Sequence, residues 1–275
     1  MRDRLKGAHV AGRSAQYGRD AVIGSMRRLV EGDTRVRFGL PPFADLMMEH
    51  VERAVTDVFG WKGDGQRARI APANTHDAFV AARDRIREVA FARGSIAFAT
   101  SRPASMLTVY RELAAMAVAD GARVLEQPES GVIGASGRRL WWIDGVAVLS
   151  DHESLLGHDS VAAADELLFC LSSPDLVVAD RCYAGVALAR GLEVIAFADL
   201  DAVALAVAAW RGRAVRIVPL DQQRPPSAYA SLLGLLTGLE HPALEPDLGL
   251  ASLPSPDPSA WPVDAPGDLR SERLG

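Results

Sequence analysis

From residue 95 onward, the chain alternates short β-like runs with alanine-rich helical segments. The β-like runs read SIAFAT, ARVLE, DLVVAD, LEVIAFAD and AVRIVPL. The helical segments between them read ASMLTVYRELAAMAVADG, DSVAAADELLFCL, AGVALARG and DAVALAVAAWRG. This alternation is typical of a parallel sheet, because each parallel strand needs a crossover connection before the next one. We therefore expect a Rossmann-like α/β fold, with a mainly parallel sheet of about five strands and flanking helices.

One segment breaks this rhythm in the middle of the predicted sheet domain. In RRLWWIDGVAVLS, two apolar runs flank Asp144 and Gly145. Asp-Gly between two β-like runs is a strong signal for a two-residue hairpin turn, because both turn residues need a positive φ. We therefore predict an antiparallel hairpin within the domain.

The chain before this region has a helical pattern, and the chain after it has the composition of a disordered segment. Residues 1–94 repeat apolar positions near the helical period between glycine and proline stops, which predicts three or four helices that cap the sheet. Residues 239–275 are rich in proline, serine and aspartate, with too few apolar residues to offset ordering entropy. The predicted organisation is a helical region at 1–94, a sheet domain at 95–238 and a disordered tail at 239–275.

Composition and charge limit the classes of partner. The net charge of the 275 residues is −5, so no overall positive field attracts nucleic acid or an acidic membrane surface. No apolar run is long enough for a membrane span, and the two cysteines form no CxxC pair, which favours a reducing, cytoplasmic location. We expect no nucleic-acid or membrane partner. The Trp141-Trp142 pair leaves a homodimer open, because exposed aromatic residues are enriched at protein interfaces.

Three acids and a hydroxyl follow the predicted strands at the point where each strand ends. They are Thr100, Asp180, Asp199 and Asp221. Because the carboxyl ends of parallel strands meet at one edge of a sheet, we expect these side chains to lie together, where ligands bind in open α/β sheets. Carboxylates gathered in this way hold a divalent cation such as Mg²⁺, which predicts a metal site at Asp180, Asp199 and Asp221. The alternative for each aspartate is an N-cap of the next helix.

Basic and hydroxyl side chains beside this edge predict an anion site. Arg102 and Arg181 each follow a strand and precede a helix, where a guanidinium and a helix N-terminus can hold a phosphate together. Thr100 and Ser101 precede the first of these arginines and add hydroxyl donors. Arg19, on the predicted N-terminal cap, could add a further phosphate contact. The alternative for each arginine is a solvated surface residue.

The segment LSDHESLLGHDS offers two candidates for proton transfer. His152 and His158 lie in a predicted loop after the hairpin, beside several carboxylates. Histidine can transfer a proton near neutral pH or bind a metal, so we assign His152, His158 and Asp180 as candidate catalytic residues. The alternative is a polar surface loop.

Three segments resemble an actinobacterial family whose members are described as phosphatases. They are SIAFATSRPASMLTVYRELA, PDLVVADRCYAGVALARGLEVIAFAD and VRIVPLD. The family carries F-A-T-G-H-P after its first strand, V-A-D-H-G-W-A-G after a later one, and then Y-A-D and P-L-D-D. The resemblance covers roughly residues 5–237 and implies phosphatase activity.

The chain departs from these motifs at two histidines. Fourteen positions match the family motifs: Phe98, Ala99, Thr100, Pro103, Val178, Ala179, Asp180, Ala184, Gly185, Ala198, Asp199 and the run 219–221. Arg102 and Arg181 stand where the family has histidine, and Gln222 stands where it has the last aspartate. An arginine stays protonated, so it can hold an anion but cannot exchange a proton or bind a metal.

Two functions follow from this pattern. The first is a phosphatase-like hydrolase of a small phosphorylated metabolite, with metal at the strand-end aspartates and phosphate at the arginines. The second is a catalytically degenerate relative that binds a phosphorylated or carboxylated ligand as a regulator or partner subunit. The retained aspartates favour the first function, and the replaced histidines favour the second.

Overall fold

The structure is a computed structural model, and it describes residues 2–127, 133, 137–171 and 173–237. The tail predicted at 239–275 lies outside the described residues. The helices are α1 (Arg2–Gly7), α2 (Arg19–Val30), α3 (Met48–Phe59), α4 (Pro72–Phe91), α5 (Pro103–Ala119), α6 (Val161–Cys170), α7 (Arg181–Ala189), α8 (Val203–Trp210) and α9 (Ala230–Thr237). The strands are β1 (Gly12–Gly18), β2 (Arg67–Ile70), β3 (Ser95–Ala99), β4 (Arg123–Val124), β5 (Arg139–Ile143), β6 (Val146–Ser150), β7 (Leu176–Asp180), β8 (Val194–Ala198) and β9 (Val215–Pro219).

The main sheet has seven strands, and the prediction of a mainly parallel α/β sheet is confirmed. Its order is β5-β6-β3-β7-β8-β9, and the two-residue strand β4 also pairs with β3. Every pairing is parallel except that of β5 with β6. All residues of β3, β7 and β8 are buried, because helices cover both faces of the sheet. This two-sided burial explains why these strands read as continuous apolar runs in the sequence.

The predicted hairpin supplies one edge of this sheet. Ile143 pairs with Val146, and the two turn residues between them, Asp144 and Gly145, have φ values of 47° and 86°. Two positive φ values are the mark of a type I′ turn, which Asp-Gly favours. The hairpin prediction is confirmed, and β6 continues from the turn into a parallel pairing with β3.

The N-terminal region contains four helices and a two-stranded ribbon that the sequence did not indicate. Strands β1 and β2 form this antiparallel ribbon, in which Arg13 lies opposite Arg69. In β2, Ala68 and Ile70 are buried, whereas Arg67 and Arg69, which alternate with them, are exposed. The alternation is too short, and its exposed positions too charged, to stand out as a strand signal.

One hydrophobic core runs through the described chain, from Leu5 in α1 to Leu236 in α9. Its largest fully buried side chains include Trp61, Tyr110 and Phe197. The N-terminal helices therefore pack on the same core as the sheet. None of the helices in the described ranges combines the length and the apolar character that a bilayer crossing requires.

Candidate functional site

The strand-end side chains do meet at one edge of the main sheet. Thr100 follows β3, Asp180 ends β7, Asp199 follows β8 and Asp221 follows β9. All four are buried, with exposed fractions between 0% and 3%. The parallel topology therefore places these four residues at the same edge of the sheet, where their side chains are shielded from solvent.

The carboxylate of Asp180 joins two strand ends. Its Oδ1 accepts hydrogen bonds from the backbone N–H and the hydroxyl of Ser101, at 2.8 and 2.6 Å. Its Oδ2 accepts from the hydroxyl of Thr100 at 2.6 Å and from that of Tyr110 at 3.4 Å. Asp180 occupies the N-cap position of α7, yet its side chain makes no cap hydrogen bond. Its carboxylate instead connects the loop after β3 to the end of β7 through hydrogen bonds.

Burial raises the pKa of Asp180, and the hydrogen bonds from Ser101 and Thr100 oppose this rise. Burial also raises the pKa of Asp199 well above its usual range, and the nearby carboxylates of Asp201 and Asp221 raise it further. The Asp199 oxygens accept from the backbone N–H groups of Leu200 at 2.7 Å and Gln222 at 3.3 Å. Both acids thus favour the neutral form more than an exposed aspartate does.

These acids do not assemble a metal site. In the part of the chain that the structure describes, no three His, Cys, Asp or Glu side chains form a group that could hold a metal ion. Both oxygens of Asp180 already accept hydrogen bonds, and Asp221 accepts from Gln223 N–H at 3.1 Å and pairs with Arg224 at 2.8 Å. The residues predicted to bind Mg²⁺ therefore do not fit that group in this arrangement.

Arg181 lies at the centre of a buried charge network. It is the first residue of α7 and has a positive φ of 43°. Its guanidinium donates to both oxygens of Asp159 and, at 2.8 Å, to Asp201 Oδ2. It also lies over the ring of Phe38, 4.7 Å from the ring centre. With 7% of its side chain exposed, Arg181 is held by these partners and is not free to bind a phosphate.

The network also sets the charge of Asp159. Burial acts to raise the pKa of this carboxyl, but the hydrogen bonds and the positive charge of Arg181 outweigh burial and lower it. Asp159 is therefore ionised at neutral pH. Arg181 supplies a positive charge between the carboxylates of Asp159 and Asp201, which are not the aspartates predicted to bind a metal.

Arg102 and Arg224 line a cavity of about 530 Å³ at the start of α5. Arg102 donates to the carbonyl oxygens of Ser101 and His158 at 3.3 and 3.2 Å, and its side chain is 21% exposed. Arg224 donates from Nε to the carbonyl oxygen of His9 at 3.2 Å. The other lining residues are Pro103, Ala104, Ser105, Gly157, Gln223 and Pro225. Arg102 was predicted to bind phosphate, whereas Arg224 was missed, although it follows the end of β9 by only a few residues.

His158 lies near this cavity in a neutral form. Burial lowers its pKa to about 4, and the charge of Asp159 only partly opposes this effect. Its Nδ1 accepts from the backbone N–H of Ser160 at 3.0 Å, so Nε2 carries the proton. This Nε2 is buried, and within the described ranges it has no hydrogen-bond partner. His158 is therefore a poor base at neutral pH.

The structure does not bring the two remaining predicted residues to the cavity. His152 is exposed, has a φ of 80°, and contacts the ring of Trp141 at its edge. Arg19 donates from Nε to the carbonyl oxygen of Gly63 at 2.8 Å and lines a separate cavity of about 330 Å³. Neither residue lines the cavity between Arg102 and Arg224.

Comparison with known proteins assigns the family. Residues 1–237 match the sequence profile of the family described as Phosphatase. This chain belongs to the Phosphatase family. A curated relative, phosphatase SCO2771 of Streptomyces coelicolor, is 32% identical over 157 residues, which are 55% of this Phosphatase-family chain and 59% of the relative. The match thus spans less than two thirds of that relative, and no solved structure matches the chain.

Proposed function

We propose that this chain binds the phosphoryl group of a small phosphorylated molecule between Arg102 and Arg224, and that it holds this ligand without hydrolysing it. Membership of the Phosphatase family supports a phosphatase-like function at a coarse level. The observation that carries the proposal is the cavity itself, which Arg102 and Arg224 line together with the first residues of α5.

The physical chemistry of this cavity suits a phosphoryl group. The dipole of α5 places positive potential at its start, where Pro103 has no N–H and the N–H of Ser105 already donates to the carbonyl oxygen of Arg102 at 3.2 Å. Arg102 and Arg224 add two positive charges beside the cavity. Arg102 also pairs with Asp159 at 3.5 Å and Arg224 with Asp221 at 2.8 Å, so the N–H groups that these contacts leave over would donate to the phosphate oxygens. A cavity of about 530 Å³ lies within the range that small ligands occupy.

The state of the reactive groups supports binding without turnover. Arg102 and Arg181 stand where the family motifs carry histidine, and an arginine cannot exchange a proton at neutral pH. Burial raises the pKa of the Cys182 thiol to about 12, so it is not a thiolate nucleophile. Asp180 is enclosed by hydrogen bonds, and His158 has too low a pKa to act as a base.

A second candidate function is hydrolysis of the same class of ligand. It is favoured by the family match and by the relative that is named a phosphatase. Metal-assisted hydrolysis would require Asp180, Asp199 and Asp221 to leave their present hydrogen bonds and face a common point. We therefore rank it below binding.

Ala104→Asp tests the proposed site. Ala104 is exposed at the start of α5 and lines the cavity. At roughly 6 Å and an effective dielectric constant of about 40, an added carboxylate repels each unit of phosphate charge by about 1.4 kcal/mol. Affinity should therefore fall at least about tenfold. An acid in a first helical turn stabilises the helix by about 0.3–1 kcal/mol, so the melting temperature should not fall.

The assay combines ligand stabilisation with phosphate release. A panel of phosphorylated metabolites is scanned for an increase in melting temperature, and the same panel is assayed for phosphate release with Mg²⁺, Mn²⁺ or EDTA. Thr108→Asp is the matched control, because Thr108 is exposed on α5 but does not line the cavity. Stabilisation that Ala104→Asp removes and Thr108→Asp keeps, without phosphate release, supports the proposal. Metal-dependent release would support hydrolysis instead, and unchanged ligand stabilisation in Ala104→Asp would refute the site.

A further inference from the structure

The ribbon of β1 and β2 presents an arginine face to solvent. Arg13 and Arg69 lie directly opposite each other in the antiparallel register. In β2 the exposed positions are Arg67 and Arg69, and the residues that alternate with them are buried in the core. Residues directly opposite on antiparallel strands place their side chains on the same face and about 5 Å apart. The ribbon therefore places two arginine side chains beside each other on one face.

This pairing is unfavourable unless an anion lies between the two groups. Like charges directly opposite on neighbouring strands destabilise a sheet. Both Arg13 and Arg69 are exposed, and neither side chain has a hydrogen bond or an ion pair with any described residue. Arginine pairs of this kind match the geometry of phosphate oxygens, which accept two hydrogen bonds from one guanidinium. Arg13 and Arg69 can therefore bind a compact dianion such as phosphate.

Two cavities meet at this arginine pair. One has a volume of about 380 Å³ and the other about 520 Å³, and Arg13 and Arg69 line both. The smaller cavity is also lined by Asp64, Gly65, Gln66 and Arg67. The larger cavity is also lined by Lys6, His9, Ala11, Gly12, Ile70, Ala71 and Pro72. A ligand held by the pair therefore has space for a further chemical group on either side.

We propose that Arg13 and Arg69 form a second anion site, which takes the phosphoryl group of a phosphorylated small molecule. The apolar residues of the larger cavity, such as Ile70 and Pro72, would contact its carbon portion. Asp64 is the one carboxylate-bearing residue among those that line the two cavities. The local charge is therefore positive on a chain whose net charge is −5.

The second site is separate from the cavity at α5 but adjoins it. The two sets of lining residues have no member in common. His9 lines the larger ribbon cavity, and its carbonyl oxygen accepts a hydrogen bond from Nε of Arg224 at 3.2 Å. His9 thus connects the larger ribbon cavity with Arg224, which lines the proposed binding cavity at α5.

Nuclear magnetic resonance of the full chain tests the proposal with inorganic phosphate as the probe. The ligand is titrated at constant ionic strength, with chloride as the balancing anion, and the arginine Nε–Hε signals are followed. The signals of Arg13 and Arg69 should shift and saturate. Arg69→Gln should weaken the phosphate dependence of the Arg13 signal at least about tenfold, because a charge-assisted donor pair is lost. Arg13→Gln should have the same effect on the Arg69 signal.

Two variants separate this site from general charge effects and from the cavity at α5. Arg216→Gln makes the same charge change at an exposed position of β9, and it should leave the ribbon signals within about twofold of the wild-type midpoint, since distant exposed charges are screened. Ala104→Asp should leave the ribbon titration unchanged even where it abolishes binding at α5. The proposal is refuted if the shifts do not saturate, or if Arg216→Gln and Arg69→Gln weaken them equally.

Discussion

Replacing Arg181 by methionine removes the positive charge that holds the buried network together. Methionine keeps the unbranched stem of the side chain but lacks the guanidinium, so the loss is mainly of charge and hydrogen bonds. The two carboxylates that lose their partner are Asp159, with 39% of its side chain exposed, and Asp201, with 20% exposed. Asp201 then faces the cost of partial burial without this charge, and Asp159 keeps only the weaker pairing with Arg102 at 3.5 Å.

The expected loss of stability lies between two reference cases. An exposed ion pair contributes about 0–1 kcal/mol, and removing one partner of a fully buried pair costs about 3–5 kcal/mol. Arg181 is 7% exposed but its partners are only partly buried, so we expect a loss of about 2–4 kcal/mol at pH 7. For a folded chain of this size, each kcal/mol lowers the melting temperature by about 2–4 °C.

The loss should depend on pH in a defined direction. In the wild type, Arg181 lowers the folded-state pKa of Asp159, so this carboxyl contributes stability above its unfolded pKa, and that contribution fades as the pH falls. In the variant, Asp159 loses this lowering effect of Arg181 while burial still acts to raise its pKa, which costs stability as the pH rises through the range in which a carboxyl ionises. Both effects increase the difference in unfolding free energy between the wild type and the variant at pH 7. The gap between the two proteins should therefore be smaller at pH 4 than at pH 7.

Urea denaturation at both pH values measures this gap. Arg190→Met is the matched control, because Arg190 ends the same helix and pairs with Asp165 at 2.7 Å on the surface, where both side chains are about half exposed. Its loss should stay below about 1 kcal/mol. A stabilising role of the Arg181 charge is refuted if Arg181→Met lowers the unfolding free energy no more than Arg190→Met does. It is also refuted if the loss of unfolding free energy in Arg181→Met is the same at pH 4 and pH 7.

Two further substitutions probe the packing around the same edge of the sheet. Gly185→Ala should destabilise the fold by about 1–3 kcal/mol in urea denaturation, because the added Cβ would overlap the carbonyl oxygen of Phe38; a neutral result would show that the Phe38 loop moves freely. Thr100→Val keeps the side-chain shape but removes a hydrogen bond to Asp180 at 2.6 Å and one from the backbone N–H of Arg102 at 3.0 Å. It should cost about 1–3 kcal/mol, and a loss below the error of thermal unfolding would contradict the assigned hydrogen bonds.

The features that the sequence predicted are those that follow from local patterns. Strands β3, β7 and β8 are buried on both faces, so each one reads as an unbroken apolar run. The Asp144-Gly145 turn has a backbone requirement that few residue pairs meet. The meeting of Thr100, Asp180 and Asp199 at one edge follows from parallel pairing alone.

The features that the sequence did not predict depend on contacts between distant segments. Whether Asp180 faces a cleft or the interior is decided by Ser101 and Thr100, about 80 residues earlier in the chain. The partners of Arg181 come from Asp159 and Asp201, on separate loops. No local pattern reveals these distances, so the metal assignment followed from the residue types and not from their geometry.

The contact of His9 with Arg224 also affects when the protein can complete its fold during synthesis. These residues are 215 positions apart, and next to them the backbone N–H of Asp221 donates to the carbonyl oxygen of Val10 at 2.9 Å. Because chains are synthesised from the N-terminus, the segment around His9 must wait until the segment around Arg224 has been made before this contact can form. The cavity at α5 is therefore completed late in translation, and a product truncated before residue 219 would contain every residue of α5 and yet lack half of its anion site.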